Sequence, residues 1–208
     1  MGLGSSDVTK LVASGYDQIA DSYLQQFGHS AVRARKLNEL AELLPSRAHV
    51  LDLGCGAGVP VARDLIERGF KVTGVDASAR QIERARCNAP QAQFIRGDMT
   101  TIEFPAFAFD AVAAFYSITH IPRDRHAAFL KRLARWLRSG GWFLASFGAT
   151  ALDDWVGDWL GTTMFFSHYD GAVTHELISD AGLLVERAEV LQQDKEETEF
   201  LWITARTP

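Results

Sequence analysis

The sequence predicts one doubly wound α/β domain: five parallel strands with helices on both faces, then an antiparallel hairpin on the same sheet. Three observations predict it. Short apolar runs alternate with helical segments up to residue 148, the order that builds a parallel sheet with crossover helices. The runs "HVLDLG" and "KVTGVD" have few polar breaks, as strands covered on both faces do. The first run leads through glycines 54, 56 and 58 into a helix, a turn that lets a ligand lie against the main chain. At 208 residues the chain suffices for one sizeable core and is cramped for two.

The elements follow in order. Residues 7–26 read as a helix, with Val8, Leu11, Val12, Tyr16, Ile19, Ala20 and Tyr23 at helical spacing. A second helix covers about 30–44 and stops before Pro45. The first strand follows, and then the helix "VPVARDLIERG", with Gly69 as its stop. "KVTGVD" is the second strand, "SARQIERARCNA" a helix, "AQFIRGD" the third strand and "FDAVAAFYS" the fourth. "RDRHAAFLKRLARWLRSGG" reads as a helix ended by its two glycines, before the fifth strand, "WFLASFG". Residues 149–169 read as irregular and aromatic, and a helix follows at about 172–181. "LLVERAEVLQQ" and "FLWITAR" pair as the closing hairpin across the charged connection "DKEETE".

Composition narrows the function. A net charge of -5 counts against a nucleic-acid partner, which favours an excess of Lys and Arg. No apolar run reaches the length of a membrane span, about 18 residues or more. The first ten residues lack a secretory pattern, and the first six are set aside from fold reasoning. Cys55 and Cys87 show no metal-type spacing, so a reduced, cytoplasmic protein without disulfides or zinc is expected. His120 and His126 are six apart, and His168 and His175 seven apart; neither spacing is the i, i+4 of helical metal ligands.

The glycine turn departs from a dinucleotide fingerprint, because Val59 stands where the third glycine is needed. Asp52, two residues before the first glycine, repels a pyrophosphate and suits a cationic group. Asp76 closes the second strand, where a carboxylate accepts ribose hydroxyls. Asp98 follows the third, placed to accept an adenine amine. In a doubly wound sheet these strand ends line one crevice. An amine, a ribose and a base without phosphate describe S-adenosylmethionine.

"VLDLGCGAG", "VTGVDAS", "FIRGDMT" and "FDAVAAFYSITHI" together resemble the class I S-adenosylmethionine-dependent methyltransferases over about residues 16–148. The leading "YDQIADSY" is similar to the start of the ubiquinone/menaquinone-type and related small-molecule members. The resemblance implies a Rossmann-like sheet of seven strands in the order 3-2-1-4-5-7-6, with strand 7 antiparallel. It implies one domain over residues 1–208, with a helical cover at 1–45 and an aromatic lid at 149–171. It assigns cofactor contacts to Asp52, the turn with Gly54, Cys55, Gly56 and Gly58, Asp76, Asp98, Met99, and Phe115 and Tyr116; Tyr16, Tyr23, Ala77 and Ser78 are expected beside them. Cys55 is expected to pack as a small apolar residue rather than to act as a nucleophile. No metal is implied: Phe115, Tyr116 and Ser117 stand where metal-dependent catechol methyltransferases carry carboxylates. The signature of amino-adenine methyltransferases is also missing after the fourth strand.

The acceptor side rests on position and chemistry. Tyr16, Tyr23 and Phe27 share a helical neighbourhood that a core-packing face also explains. His120, after the fourth strand, titrates near working pH and is a candidate base; a structural histidine is the competing reading. The stretch "LDDWVGDWLGTTMFFSHYDG" supplies an apolar wall, with His168 and Tyr169 as candidate catalytic handles. The expected reaction is methyl transfer to a small, largely apolar or aromatic acceptor. A cofactor-binding sensor, a peptide methyltransferase and a nucleotide-dependent oxidoreductase stay open, as does the oligomeric state.

Overall fold

The computed structural model describes residues 4–194 and 198–208. Its main sheet has seven strands: β1 (His49–Leu53), β2 (Lys71–Asp76), β3 (Gln93–Arg96), β4 (Phe109–Ala114), β5 (Leu137–Gly148), β8 (Leu184–Gln192) and β9 (Glu199–Arg206). They lie in the order β3-β2-β1-β4-β5-β9-β8. The first five are mutually parallel, and β9 runs antiparallel to both β5 and β8. The numbering differs from the expected order because an extra two-stranded sheet, β6 (Leu152–Trp159) and β7 (Thr162–His168), intervenes in the chain. Without that hairpin, the last two strands occupy the expected places. Residues 195–197 of the expected charged connection lie outside the described residues.

Alternation along each strand feeds two apolar layers. Leu51, Leu53, Val112 and Ala114 face one side, where α5 (His126–Trp136) and α6 (Gly171–Asp180) bring Phe129, Leu133, Trp136 and Ile178. Val50, Ala111 and Ala113 face the other, against Leu37 and Leu40 of α2 (Ala31–Leu43), Leu65 of α3 (Val61–Glu67) and Ile82 of α4 (Ala79–Asn88). The helix starts are legible in the sequence. Ser30 accepts from Arg33 N–H, Ser78 from Gln81 N–H and Asp170 from Val173 N–H, each filling an orphan donor.

Two expectations about element boundaries fail. The helix expected to run to the glycines at 140–141 stops at Trp136. Leu137 already pairs with Phe109, and both side chains are core, so burial pulls the segment into the sheet. Residues 149–169 are not irregular but carry the β6–β7 hairpin. α1 (Ser5–Phe27) crosses the carboxyl ends of the strands and packs on both α4 and β7. No helix of the described residues is long and apolar enough to cross a membrane.

Candidate functional site

The crevice opens where β1, β2 and β4 end. The turn after β1 begins with Gly54 and Cys55, whose N–H groups both donate to the Val75 carbonyl at 2.8 and 3.0 Å. Asp76 locks the turn from β2: one carboxylate oxygen accepts from Gly56 N–H at 2.9 Å and the other from Ser78 N–H at 2.9 Å. Burial, the largest influence, raises its pKa against those hydrogen bonds. The three glycines serve different ends. At Gly54, with φ +73°, a Cβ would lie 2.3 Å from the Ser117 Cβ, so only glycine fits. At Gly56, with φ +51°, a Cβ would meet nothing within 4 Å, which leaves its main chain open to a ligand. Gly58 packs against Phe94 and Ala85, and so serves helix-on-sheet contact rather than ligand approach.

An inner cavity of about 90 Å³ is lined by Tyr16, Tyr23, Gly54, Gly56, Asp76, Ala77, Met99, Phe115, Tyr116 and His120, together with Val12, Ala13, Gln81 and Ser117. Ten of the expected residues thus meet in one place. Asp52 lies beneath it, 2% exposed, and its Oδ2 has no hydrogen-bond partner among the described residues. Burial first, and then Asp76, push its pKa up to about 7; Arg33 opposes them. A buried carboxylate oxygen left unpaired is costly, and a ligand ammonium would pair it. The residues present therefore fit the methionyl end of S-adenosylmethionine.

Sequence reasoning missed Arg33. It is buried on α2, donates to the Phe27 carbonyl, has an Nε without a partner among the described residues, and stands 6.0 Å from the Tyr116 ring centre. Its position in a charged run, "AVRARKLNEL", hid it among surface arginines. Tyr116 itself adopts φ +57°, with its N–H held by Ser146 Oγ at 2.6 Å. Such a strained backbone needs a surrounding structure that fixes it.

Other expected contacts are placed differently. Asp98 is outside the inner cavity, on the wall of two outer cavities of about 420 and 520 Å³ that flank Thr9 and Lys10. Its Oδ2 accepts from Thr9 Oγ1 at 2.7 Å, and its Oδ1 from Thr100 at 2.7 Å. Ser78 is a buried helix cap that donates to Asp17 at 2.5 Å, not a lining residue. Cys55 is buried against Gly74, and burial raises its thiol pKa, as a packing residue requires.

On the acceptor side, His120 reaches the cavity and the other two handles do not. His168 faces Gly148, with Nδ1 2.5 Å from the Thr150 carbonyl oxygen. Tyr169 stacks under the Arg123 guanidinium at 5.2 Å, near His126. His168 ends β7 and Tyr169 lies between it and the Asp170 cap of α6. The hairpin instead packs Trp159 and Phe166 behind residues that line the cavity. Trp159 lies 6.2 Å from Tyr16, 6.0 Å from Tyr23, and 6.1 Å from Phe27 in a stack; Phe166 lies 4.6 Å from His120. His120 is held by its two ring nitrogens. Nδ1 donates to the Phe165 carbonyl at 2.8 Å, and Nε2 accepts from the Tyr16 hydroxyl at 2.9 Å. Burial lowers its pKa to about 4, so it is neutral at pH 7.

Comparison with known proteins agrees with this geometry. Residues 50–141 match the family described as "Methyltransferase domain". Over 152 residues the chain is 32% identical to 27-O-demethylrifamycin SV methyltransferase of Amycolatopsis mediterranei, covering 62% of this chain and 55% of that one. Over 103 residues it is 36% identical to 2-methyl-6-phytyl-1,4-hydroquinone methyltransferase of a Synechocystis strain, covering 48% and 32%. The chain thus spans about half or less of the length of these relatives. Among solved structures, the Burkholderia thailandensis 1,6-didemethyltoxoflavin-N1-methyltransferase, with its acceptor and S-adenosylhomocysteine bound, superposes with a TM-score of 0.81 at 18% identity. That match covers 100% of this chain and 92% of the other, and shows a common fold.

Proposed function

We propose that the chain, whose residues 50–141 match a methyltransferase domain, is a class I S-adenosylmethionine-dependent methyltransferase and that it transfers a methyl group to a small, largely apolar or aromatic acceptor. One observation carries the acceptor class: the cavity is walled by the aromatic rings of Tyr16, Tyr23, Phe115 and Tyr116, and Phe27 of α1 with Trp159 and Phe166 of the hairpin pack behind Tyr16, Tyr23 and His120 as an aromatic roof. Flat apolar walls favour a flat apolar guest. Residues 149–171 act as the lid that supplies part of this roof.

When bound, S-adenosylmethionine supplies an electrophilic methyl on a positively charged sulfur. The protein's residues do the rest. Asp52 would hold the ammonium of the methionyl end and Arg33 its carboxylate, and the open main chain at Gly56 would let that end lie close. Asp76 would take the ribose, and Asp98 with Met99 the adenine in place of the Thr9 hydroxyl that Asp98 now accepts. The aromatic roof excludes water and aligns the acceptor for in-line attack. The partner is a small molecule rather than a nucleic acid, in keeping with the net charge of -5. The two free cysteines suit a reducing cytoplasm.

The test is calorimetric titration with S-adenosylmethionine, S-adenosylhomocysteine and NADH, followed by transfer of labelled methyl across small aromatic, peptide and RNA acceptors. Binding of the first two ligands and labelling of small aromatics is the expected result. Labelling of RNA alone would overturn the acceptor class.

A further inference from the structure

His120 has no free lone pair with which to meet an acceptor. Its Nδ1–H is committed to the Phe165 carbonyl of β7, which sets the tautomer and leaves Nε2 as an acceptor. That Nε2 faces the Tyr16 hydroxyl at 2.9 Å. Tyr16 lines the same cavity as Gly54, Gly56, Asp76 and Met99. Its ring is held edge-on by Tyr23 at 5.2 Å and His120 at 5.4 Å, so packing positions the hydroxyl. His120 lines that cavity too, but with Nε2 occupied by the Tyr16 hydroxyl a group there that must shed a proton meets the phenol oxygen, which also hydrogen-bonds Tyr23, before it can reach the imidazole lone pair.

Resting on the methyl-transfer reading above, we propose that Tyr16 is a catalytic residue that relays the acceptor's proton to His120, and that the acceptor is an acidic hydroxyl, a phenol or an enol. In the step, the acceptor oxygen bonds to the methyl carbon, the carbon–sulfur bond breaks, and its electron pair stays on sulfur. The acceptor's proton passes to the Tyr16 oxygen while the Tyr16 proton passes to Nε2. His120 ends as an imidazolium, and later loses its proton to water. One buried cation replaces another: the sulfur becomes neutral as the imidazole becomes charged. The burial that disfavours an isolated imidazolium is thereby offset within the step. An amine or a thiolate attacks without such a relay, and an alkanol is too weak an acid for a buried histidine to serve; a phenol or enol matches it. The hairpin completes the chain, because the carbonyl that fixes the tautomer belongs to β7.

Tyr16→Phe removes one oxygen and keeps the ring in its packing. Two measurements test the relay. In protein with ¹⁵N-labelled histidine, saturated with S-adenosylhomocysteine, His120 should show the Nδ1–H tautomer. Its Nε2 resonance should shift in Tyr16→Phe as the donor is lost; an unmoved resonance overturns the relay. Methyl transfer is then compared on 1-naphthol, 1-naphthylamine and 1-naphthalenethiol, three acceptors of one shape. The wild type should methylate the naphthol, and Tyr16→Phe should lose about 100-fold or more in kcat with KM little changed. Retained turnover in the variant, or no transfer to the naphthol, overturns the proposal. Failure of S-adenosylhomocysteine to bind in calorimetry refutes the methyltransferase reading instead, and separates the two.

Discussion

Replacing Asp52 by Asn should make the protein more stable and less able to hold its cofactor. The carboxyl is buried at the end of β1, and burial together with Asp76 raises its pKa from 3.8 to about 7, against the pull of Arg33. A folded-state pKa above the unfolded one means that the folded protein keeps the proton while the unfolded chain gives it up. Below pH 3.8 both states are protonated, and the group costs nothing. Between pH 3.8 and about 7 stability falls by 1.36 kcal/mol for each unit, and above 7 the loss is constant. About three units at that slope come to about 4 kcal/mol at pH 8. Asn cannot ionise, so the variant escapes the loss. Urea denaturation of both proteins at pH 5 and pH 8 should show Asp52→Asn gaining on the wild type by about 2–3 kcal/mol between the two pH values. A stability difference that is the same at both would refute the buried, unpaired carboxyl. Calorimetry completes the case. Binding of a ligand ammonium should release a proton from wild-type Asp52 near pH 6, seen as a dependence of the heat on the buffer, and Asp52→Asn should show no such release.

Further outcomes are expected around the same crevice. Asp76→Ala should weaken S-adenosylhomocysteine binding by about 1–3 kcal/mol and also loosen the glycine turn, since its carboxylate holds Gly56 N–H; unchanged affinity in calorimetry would separate Asp76 from the ribose. Thr9→Val should strengthen binding by up to about 1 kcal/mol, because Thr9 Oγ1 occupies the Asp98 oxygen that the adenine amine needs; weaker binding would show that Thr9 assists the cofactor. Gly54→Ala should lower the melting temperature sharply: its Cβ would sit 2.3 Å from the Ser117 Cβ at φ +73°. A melting curve that matches the wild type would place the turn differently.

The crevice was legible because it lies where strands end. Strand ends are set by hydrophobic runs, and the runs are plain in the sequence, so Gly54, Gly56 and Asp76 line one cavity and Asp52 is buried at the end of β1. Arg33 was not legible, since a buried arginine in a charged helix looks like an exposed one until the helix is placed. The acceptor side failed for a local reason. A two-residue hairpin turn is usually announced by Asn-Gly or Asp-Gly, because both central residues need positive φ. Here the turn is Leu160-Gly161, at φ +55° and +79°, so the first position carries no signal and the segment read as irregular.

Once the hairpin is recognised, the division of its residues follows from strand periodicity. Side chains two apart share a face, so Met164, Phe166 and His168 alternate with Phe165 and Ser167 along β7. Phe166 reaches His120, but β7 ends at His168, and the Asp170 cap then bends the chain into α6. His168 sits at the register shift between Leu152 and Trp155, where the hairpin pairing is interrupted, and Tyr169 lies beyond β7, so neither follows Phe166 into the crevice. What the hairpin contributes to chemistry is instead a main-chain carbonyl at Phe165, a group that no side-chain motif can announce. The close approach this requires is visible at Gly15 of α1, where an added Cβ would lie 2.9 Å from the Met164 methyl and 3.1 Å from the Thr163 carbonyl. Any larger residue before the tyrosine would have to displace the Met164 methyl and press on the Thr163 carbonyl, so a glycine there lets the helix that brings Tyr16 to His120 seat close against β7.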